Sequence, residues 1–214
     1  MVEFNLLKPN DYYTQLKDLS DPWYTCQVTS GCSFLLANNV KVNTQGWRLP
    51  DVINDICEGS IGKTWAKKVG YNGSPREIHI ILQYAINLLA GRKVDDFNTG
   101  FPFEELVFDL VHGRSSIVAG TFFSDGHVVH LGGLVTTQDN ISQAVEPSQI
   151  DMKAIQYYIV NDPIGDWHTF RKDGSGKRYD LTTSGYGVKF TPSELNTLLS
   201  SANSDQKLAH RFIG

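Results

Sequence analysis

The chain has 214 residues, of which 41% are hydrophobic and 11% aromatic, and a formal net charge of −4. That length and composition suit a single folded domain spanning 1–214 and exclude wholesale disorder. The acidic balance, with no basic run longer than pairs such as Lys67-Lys68, argues against nucleic acid as a partner, because such binding draws on a basic face that displaces counterions.

The opening "MVEFNLLKPNDYY" has neither the basic start nor the long apolar stretch of a signal peptide, and no apolar run approaches the length of a membrane span. The expectation is a chain made in the cytosol, with no membrane span. Three cysteines in a chain this long do not make a disulfide framework, so at least one thiol is free.

From about Thr25 to Asn38, the residues Val28, Cys32, Leu35 and Leu36 recur at helical spacing, with Thr25 as the cap and Asn38-Asn39 as the exit. Pro75-Arg76-Glu77 opens a second helix whose Ile78, Ile81, Leu82, Ala85 and Leu89 form an apolar stripe, closed by Gly91. A short helix follows over 103–111. At Ser116 the character changes: "SSIVAGTFF", "GHVVHLGGLVT" and "IQYYIVND" are short β-branched and aromatic runs bounded by turn residues, which predicts strands. "RKDGSGKRYDLTTSGYG" reads as a polar loop or hairpin, and "TPSELNTLLSSA" as a capped C-terminal helix. Helices followed by antiparallel strands predict an α+β fold, with N-terminal helices packed on a C-terminal antiparallel sheet.

Position separates the cysteines. Cys26 falls in the first turn of the first helix, where unpaired N–H groups and a partial positive charge favour a thiolate. Cys32 lies nearly two turns further in, on the apolar side, as a small hydrophobe. Cys57, in "NDICEGS", has no comparable setting. A nucleophilic thiol needs a base within reach and a third group to hold that base. Of the six histidines, His79, His112, His168 and His210 read as solvated or locally satisfied. His127 begins a strand after the turn "SDG", where its side chain reaches past the end of the sheet. His130 does not join it in a metal site, because residues three apart on a strand face opposite sides. Asp162, in Asn161-Asp162-Pro163 at the end of a strand, is turn chemistry when taken singly and completes a Cys–His–Asp order when taken with the others. Asp166 reads as a solvated turn acid. Trp23 and Tyr24 either line a groove or pack beneath the helix.

"TCQVTS" with a glutamine, Gln15, eleven residues before its cysteine, then "GHVV" and "VNDP" occur in this order. The set, over about residues 12–166, resembles the papain-like cysteine peptidases similar to the double-glycine (bacteriocin-processing) leader peptidases. The resemblance implies a papain-like fold, Cys26 as nucleophile, His127 as base, Asp162 as its orienting carboxylate and Gln15 as an oxyanion donor, without metal or organic cofactor. Two departures stand out: "GCSFLL" replaces the small-apolar-Met continuation after the cysteine box, and the stretch 135–155 lengthens the connection between the His and Asp strands, where it shapes a groove or holds a partner.

The implied activity is peptide or amide hydrolysis. The first-ranked substrate is the peptide part of bacterial cell wall, reached by a phage route in the absence of a signal peptide. The alternatives are processing of a leader peptide or other protein, and a non-catalytic peptide-binding module on the same fold.

Overall fold

The computed structural model describes residues 1–18, 25–74, 76–122, 126–169, 171–173, 176–178, 183–200 and 208–214. In chain order its elements are strand β1 (Val2–Asn5), the single turn α1 (Gln15–Asp18), helices α2 (Cys26–Ala37), α3 (Leu49–Glu58), α4 (Ser60–Lys68) and α5 (Glu77–Ala90), strand β2 (Asp95–Thr99), helix α6 (Phe103–Val111), strands β3 (Ser116–Gly120), β4 (His127–Thr136), β5 (Ile155–Asn161), β6 (Arg171–Asp173), β7 (Gly176–Arg178) and β8 (Val188–Phe190), helix α7 (Pro192–Ser200) and strand β9 (Leu208–Phe212). The fold is α+β, with helices packed on an antiparallel sheet.

That sheet runs β2-β9-β3-β4-β5-β8, and β1 joins β4 as a further antiparallel partner. β4 is the longest strand. Its first half pairs with β3, its second half with β1, and β5 lies along its other side. Alternation along the strands divides the core into two layers. Ile117, Ala119 and Val128 pack with α2, α3, α4 and α5, while Val118, Val129 and Leu131 pack with α6, α7 and Tyr158 of β5.

Helix α2 lies between the sheet and the other helices of its layer, touching β3, β4, α3 and α5. Residues 28–35 and Ala37 are all buried, which explains a sequence apolar or small nearly all round. Ser30 fastens it to the sheet, its hydroxyl donating to the Val128 carbonyl at 3.0 Å. His127 precedes Val128 at the start of β4, so the anchor ties the second turn of the helix to the strand start. At α5, Gly91 takes the left-handed C-cap at φ 66° that other residues adopt only with strain. At α7, the Glu194 carboxylate accepts from the Thr191 N–H while the Glu194 N–H donates to the Thr191 hydroxyl, a reciprocal capping box.

Several expectations need correction. Strands β1, β2 and β9 and helices α3 and α4 are additional to the elements read from the sequence, and β1 and β2 place strands before the presumed all-strand half. Ile78 is exposed and Leu89 only half-buried, so the apolar face of α5 is turned toward Ile80, Ile81, Leu82, Ala85 and Ile86. His79 and His210 are buried, not solvated: His210 Nδ1 donates to Asp95 Oδ2 at 2.7 Å, and its Nε2 lies 3.2 Å from His79 Nδ1. The connection 137–154 is built of short 3-10 turns whose Ile141, Ala144 and Ile150 enter the core beside α6, so its inward side is occupied by packing. His112 and His168 are locally satisfied as expected, by the Phe108 carbonyl and by Asp166 and Glu194. Asp166 is tied into its own turn, accepting from the His168 N–H. Trp23 and Tyr24 lie outside the described residues.

Burial pushes His130 down to about 3, and burial together with the charge of His210 pushes His79 to a similar value. Both rings are neutral in the fold, yet each binds a proton below about 6.5 once unfolded. The stability they contribute is present above pH 6.5 and is lost as pH falls toward 3. Urea unfolding midpoints should therefore decline between about pH 6.5 and 4.5, and level midpoints over that window would contradict the assignment.

Candidate active site

Cys26 is the first residue of α2, with Thr25 at the N-cap position. The Thr25 carbonyl accepts both the N–H and the hydroxyl of Thr29, closing the first turn behind the cysteine. The thiol is half-exposed, and its Sγ–H has an acceptor in Gln27 Oε1 at 3.7 Å. The other cysteines are buried, and burial, aided by the adjacent Glu58, pushes the Cys57 thiol up to about 12. Cys32 is enclosed in the helical layer. Of the three, the structure leaves Cys26 open to a reagent.

His127 is the first residue of β4, opposite Gly120 of β3. Its Nε2 lies 2.8 Å from Asp162 Oδ1, with both side chains buried. An ionised carboxylate only accepts, so Nε2 carries the proton. That leaves Nδ1 as the ring nitrogen for the hydrogen-bonding interaction with Cys26. Phe122 packs edge-on against the imidazole at 5.5 Å between centroids, and Trp167 and Phe190 pack edge-on against Phe122. This aromatic wall keeps water from the ring. Burial alone would lower the pKa of His127. The charge and hydrogen bond of Asp162, with those of Cys26, outweigh it and push it up to about 10.

Asp162 follows β5 directly, and its neighbour Asn161 points the other way, donating from Nδ2 to His130 Nδ1 at 2.9 Å. His127 and His130 thus take separate carboxamide and carboxylate partners on opposite faces, as a spacing of three on a strand requires. Among the described residues no group of three or more His, Cys, Asp or Glu is close enough to hold a metal ion.

The acid is held from four directions. Its Oδ1 also accepts the Ile164 N–H at 3.0 Å, and its own N–H donates to the Gly185 carbonyl at 2.8 Å. The Tyr12 hydroxyl donates to its carbonyl at 2.6 Å. At Gly185 a Cβ would lie 2.0 Å from the Asp162 carbonyl oxygen, so only glycine permits this approach.

Gln15 is fully buried at the head of α1, and its N–H donates to the Pro163 carbonyl at 3.0 Å. The structure therefore gathers Cys26, His127 and Asp162 directly, and fastens Gln15 by its backbone to the residue after the acid. Sequence reasoning missed Tyr12, Gln27, Gly185 and the Ile164 N–H. Gln27 was legible as the neighbour of the cysteine. The others gain their partners from segments far apart in the chain, as with the 150 residues between Tyr12 and Asp162, and carried no local signal.

No family model matches the chain, and no curated protein matches its sequence. Among solved structures it is similar to a Bacillus anthracis protein described as a candidate C39-like peptidase, with a TM-score of 0.53 and 16% identity over 98% of each chain. At that identity the likeness shows the fold, and it is the papain-like α+β arrangement that the sequence motifs imply. No helix among the described residues is long and apolar enough to cross a membrane.

The raised His127 pKa has a direct thermodynamic consequence. Below about 6.5 the ring is protonated folded or unfolded, and the stabilisation by Asp162 is fully present; it is lost as pH rises toward 10. The stability gap between wild type and Asp162→Asn should be widest near pH 6 and shrink toward pH 10, read from urea midpoints. A gap that grows with pH would mean that the ring is neutral in the fold.

Proposed function

We propose that the chain is a cysteine peptidase. One observation carries this reading: a buried imidazole bonded on one side to a carboxylate and interacting on the other with a half-exposed thiol at a helix N-terminus. Cys26 attacks the carbonyl carbon of a peptide bond as thiolate, its proton having passed to His127. The C–O π pair moves onto oxygen, where the Gln15 amide and the Cys26 N–H are the proposed donors. On collapse the C–N bond breaks and His127 gives its proton to the leaving amine. His127 then takes a proton from water, which attacks the thioester and releases the acid and the thiol. Asp162 holds the ring throughout and stabilises its charged form.

On the sequence resemblance, the proposed substrate is the peptide part of bacterial cell wall, reached by a phage or other external delivery route. Processing of a double-glycine leader peptide is the alternative on the same chemistry. The enzyme acts without a metal or organic cofactor.

The test is release of new amino groups from purified peptidoglycan, from casein and from a peptide containing a Gly-Gly bond. Wild type should release them, most strongly from peptidoglycan, and Cys26→Ala should fall to background. Gln15→Ala should lower turnover by about 100-fold, the usual effect of removing one oxyanion donor. No release from any of the three, or equal release by Cys26→Ala, would contradict the proposal.

A further inference from the structure

The segment leading to Gln15 is fastened at three points to the two residues that follow β5. The Tyr12 hydroxyl donates to the Asp162 carbonyl at 2.6 Å, the Thr14 hydroxyl donates to the Pro163 carbonyl at 3.0 Å, and the Gln15 N–H donates to that same Pro163 carbonyl at 3.0 Å. The Tyr12 ring also packs edge-on against Tyr186 at 6.1 Å, and the Tyr186 hydroxyl donates to the Leu7 carbonyl at 2.8 Å. The strap 12–15 therefore lies between the 162–163 peptide units and Tyr186, in the turn at 186–187.

We infer that Tyr12 and Thr14 are positioning residues, which set the Gln15 amide at the oxyanion position by tying its strap to the Asp162–Pro163 peptide. This rests on the cysteine-peptidase reading and deepens it. Gln15 and Cys26 stand on different elements, separated in sequence by residues 19–25, so helix α2 alone does not fix the distance between them. Registration comes from a common reference, the peptide that follows the acid. Two side-chain donors are well suited to that task. An oxyanion donor stabilises the transition state only if it is held in place before charge develops, because reorienting it during the reaction would cost what it contributes.

The strap holds Asp162 only by its carbonyl, through Tyr12; the carboxylate has donors of its own. That carboxylate is held by His127 and the Ile164 N–H, and the Asp162 backbone N–H by Gly185. Loss of the Tyr12 and Thr14 hydroxyls should therefore act on Gln15 and leave the thiol–imidazole pair in place. Two reagents separate these effects. Iodoacetamide alkylates the thiolate by displacement of iodide at carbon and forms no oxyanion. N-acetylglycinal, a minimal peptide aldehyde, forms a hemithioacetal: Sγ bonds to the aldehyde carbon, the π pair moves to oxygen, and the thiol proton passes to His127. That adduct needs the oxyanion donors.

The experiment compares wild type, Tyr12→Phe/Thr14→Val, Gln15→Ala and the triple variant. The double variant keeps the ring contact with Tyr186 and the shape of Thr14, and circular dichroism checks that each protein is folded. The adduct should weaken about 10-fold in the double variant and about 100-fold in Gln15→Ala, the scale of one donor lost. The triple variant should match Gln15→Ala within about twofold, since residues acting through one group are not additive. Cys26 alkylation should stay within about twofold of wild type throughout. An unchanged adduct in the double variant, or fully additive losses in the triple variant, overturns the inference while leaving the peptidase reading standing. Slow alkylation of Cys26 in wild type, at the rate of an ordinary thiol, would instead count against the peptidase reading and remove the basis for the inference.

Discussion

Asp162 is a carboxylate with no exposed surface, and a buried charge survives only where donors replace the water it has lost. Here one oxygen accepts from both His127 and the Ile164 N–H. Much of the surrounding architecture supplies or holds those donors. β4 and β5 pair so that His130 stands opposite Asn161, which brings the start of one strand and the end of the other to the same corner. Pro163 turns the chain immediately after the acid, and Gly185 offers a carbonyl at a distance no side chain would allow. Loss of His127 leaves the buried carboxylate short of a partner, at about 3–5 kcal/mol for a broken buried pair, whereas a change at Gly185 displaces the acceptor of the Asp162 N–H.

The position of Cys26 follows from a different constraint, the burial of α2. A helix enclosed on nearly every side has little freedom to slide or turn, because each shift would open a cavity in a close-packed layer. Ser30 adds a polar tie to the Val128 carbonyl, one residue from His127. Packing thus fixes the thiol from the helix side while hydrogen bonding fixes the imidazole from the sheet side. The two meet at the boundary between layers, where Cys26 keeps partial access to solvent and His127 does not. The arrangement combines a partly accessible thiol with a shielded imidazole.

Much of this was legible in the amino-acid order. The run around His127, the strand ending at Asn161 and helix α6 emerge from periodicity and β-branching, because both faces of each central strand are buried and their composition records it. Residues Cys26, His127 and Asp162 were found through helix position, strand ends and motif order. What escaped is non-local. β2 and β9, with "DDFNT" and "LAHRF", are too polar to read as strands, and become strands through pairing with each other and with β3. The burial of His210 depends on Asp95, 115 residues away, as the fastening of Gln15 depends on Pro163. Helix α3 is a different case: Leu49, Ile53, Ile56 and Cys57 stand at helical spacing, so its signal is local and present in the sequence.

The central claim is that Cys26 and His127 act as one nucleophilic pair. Its most direct test is the rate of iodoacetamide labelling across pH, resolved by mass spectrometry at Cys26, Cys32 and Cys57, in wild type and His127→Ala. The account expects fast labelling at Cys26 alone, lost in His127→Ala. Labelling of Cys26 that is no faster than that of Cys32 or Cys57, or that is unchanged without His127, would contradict it.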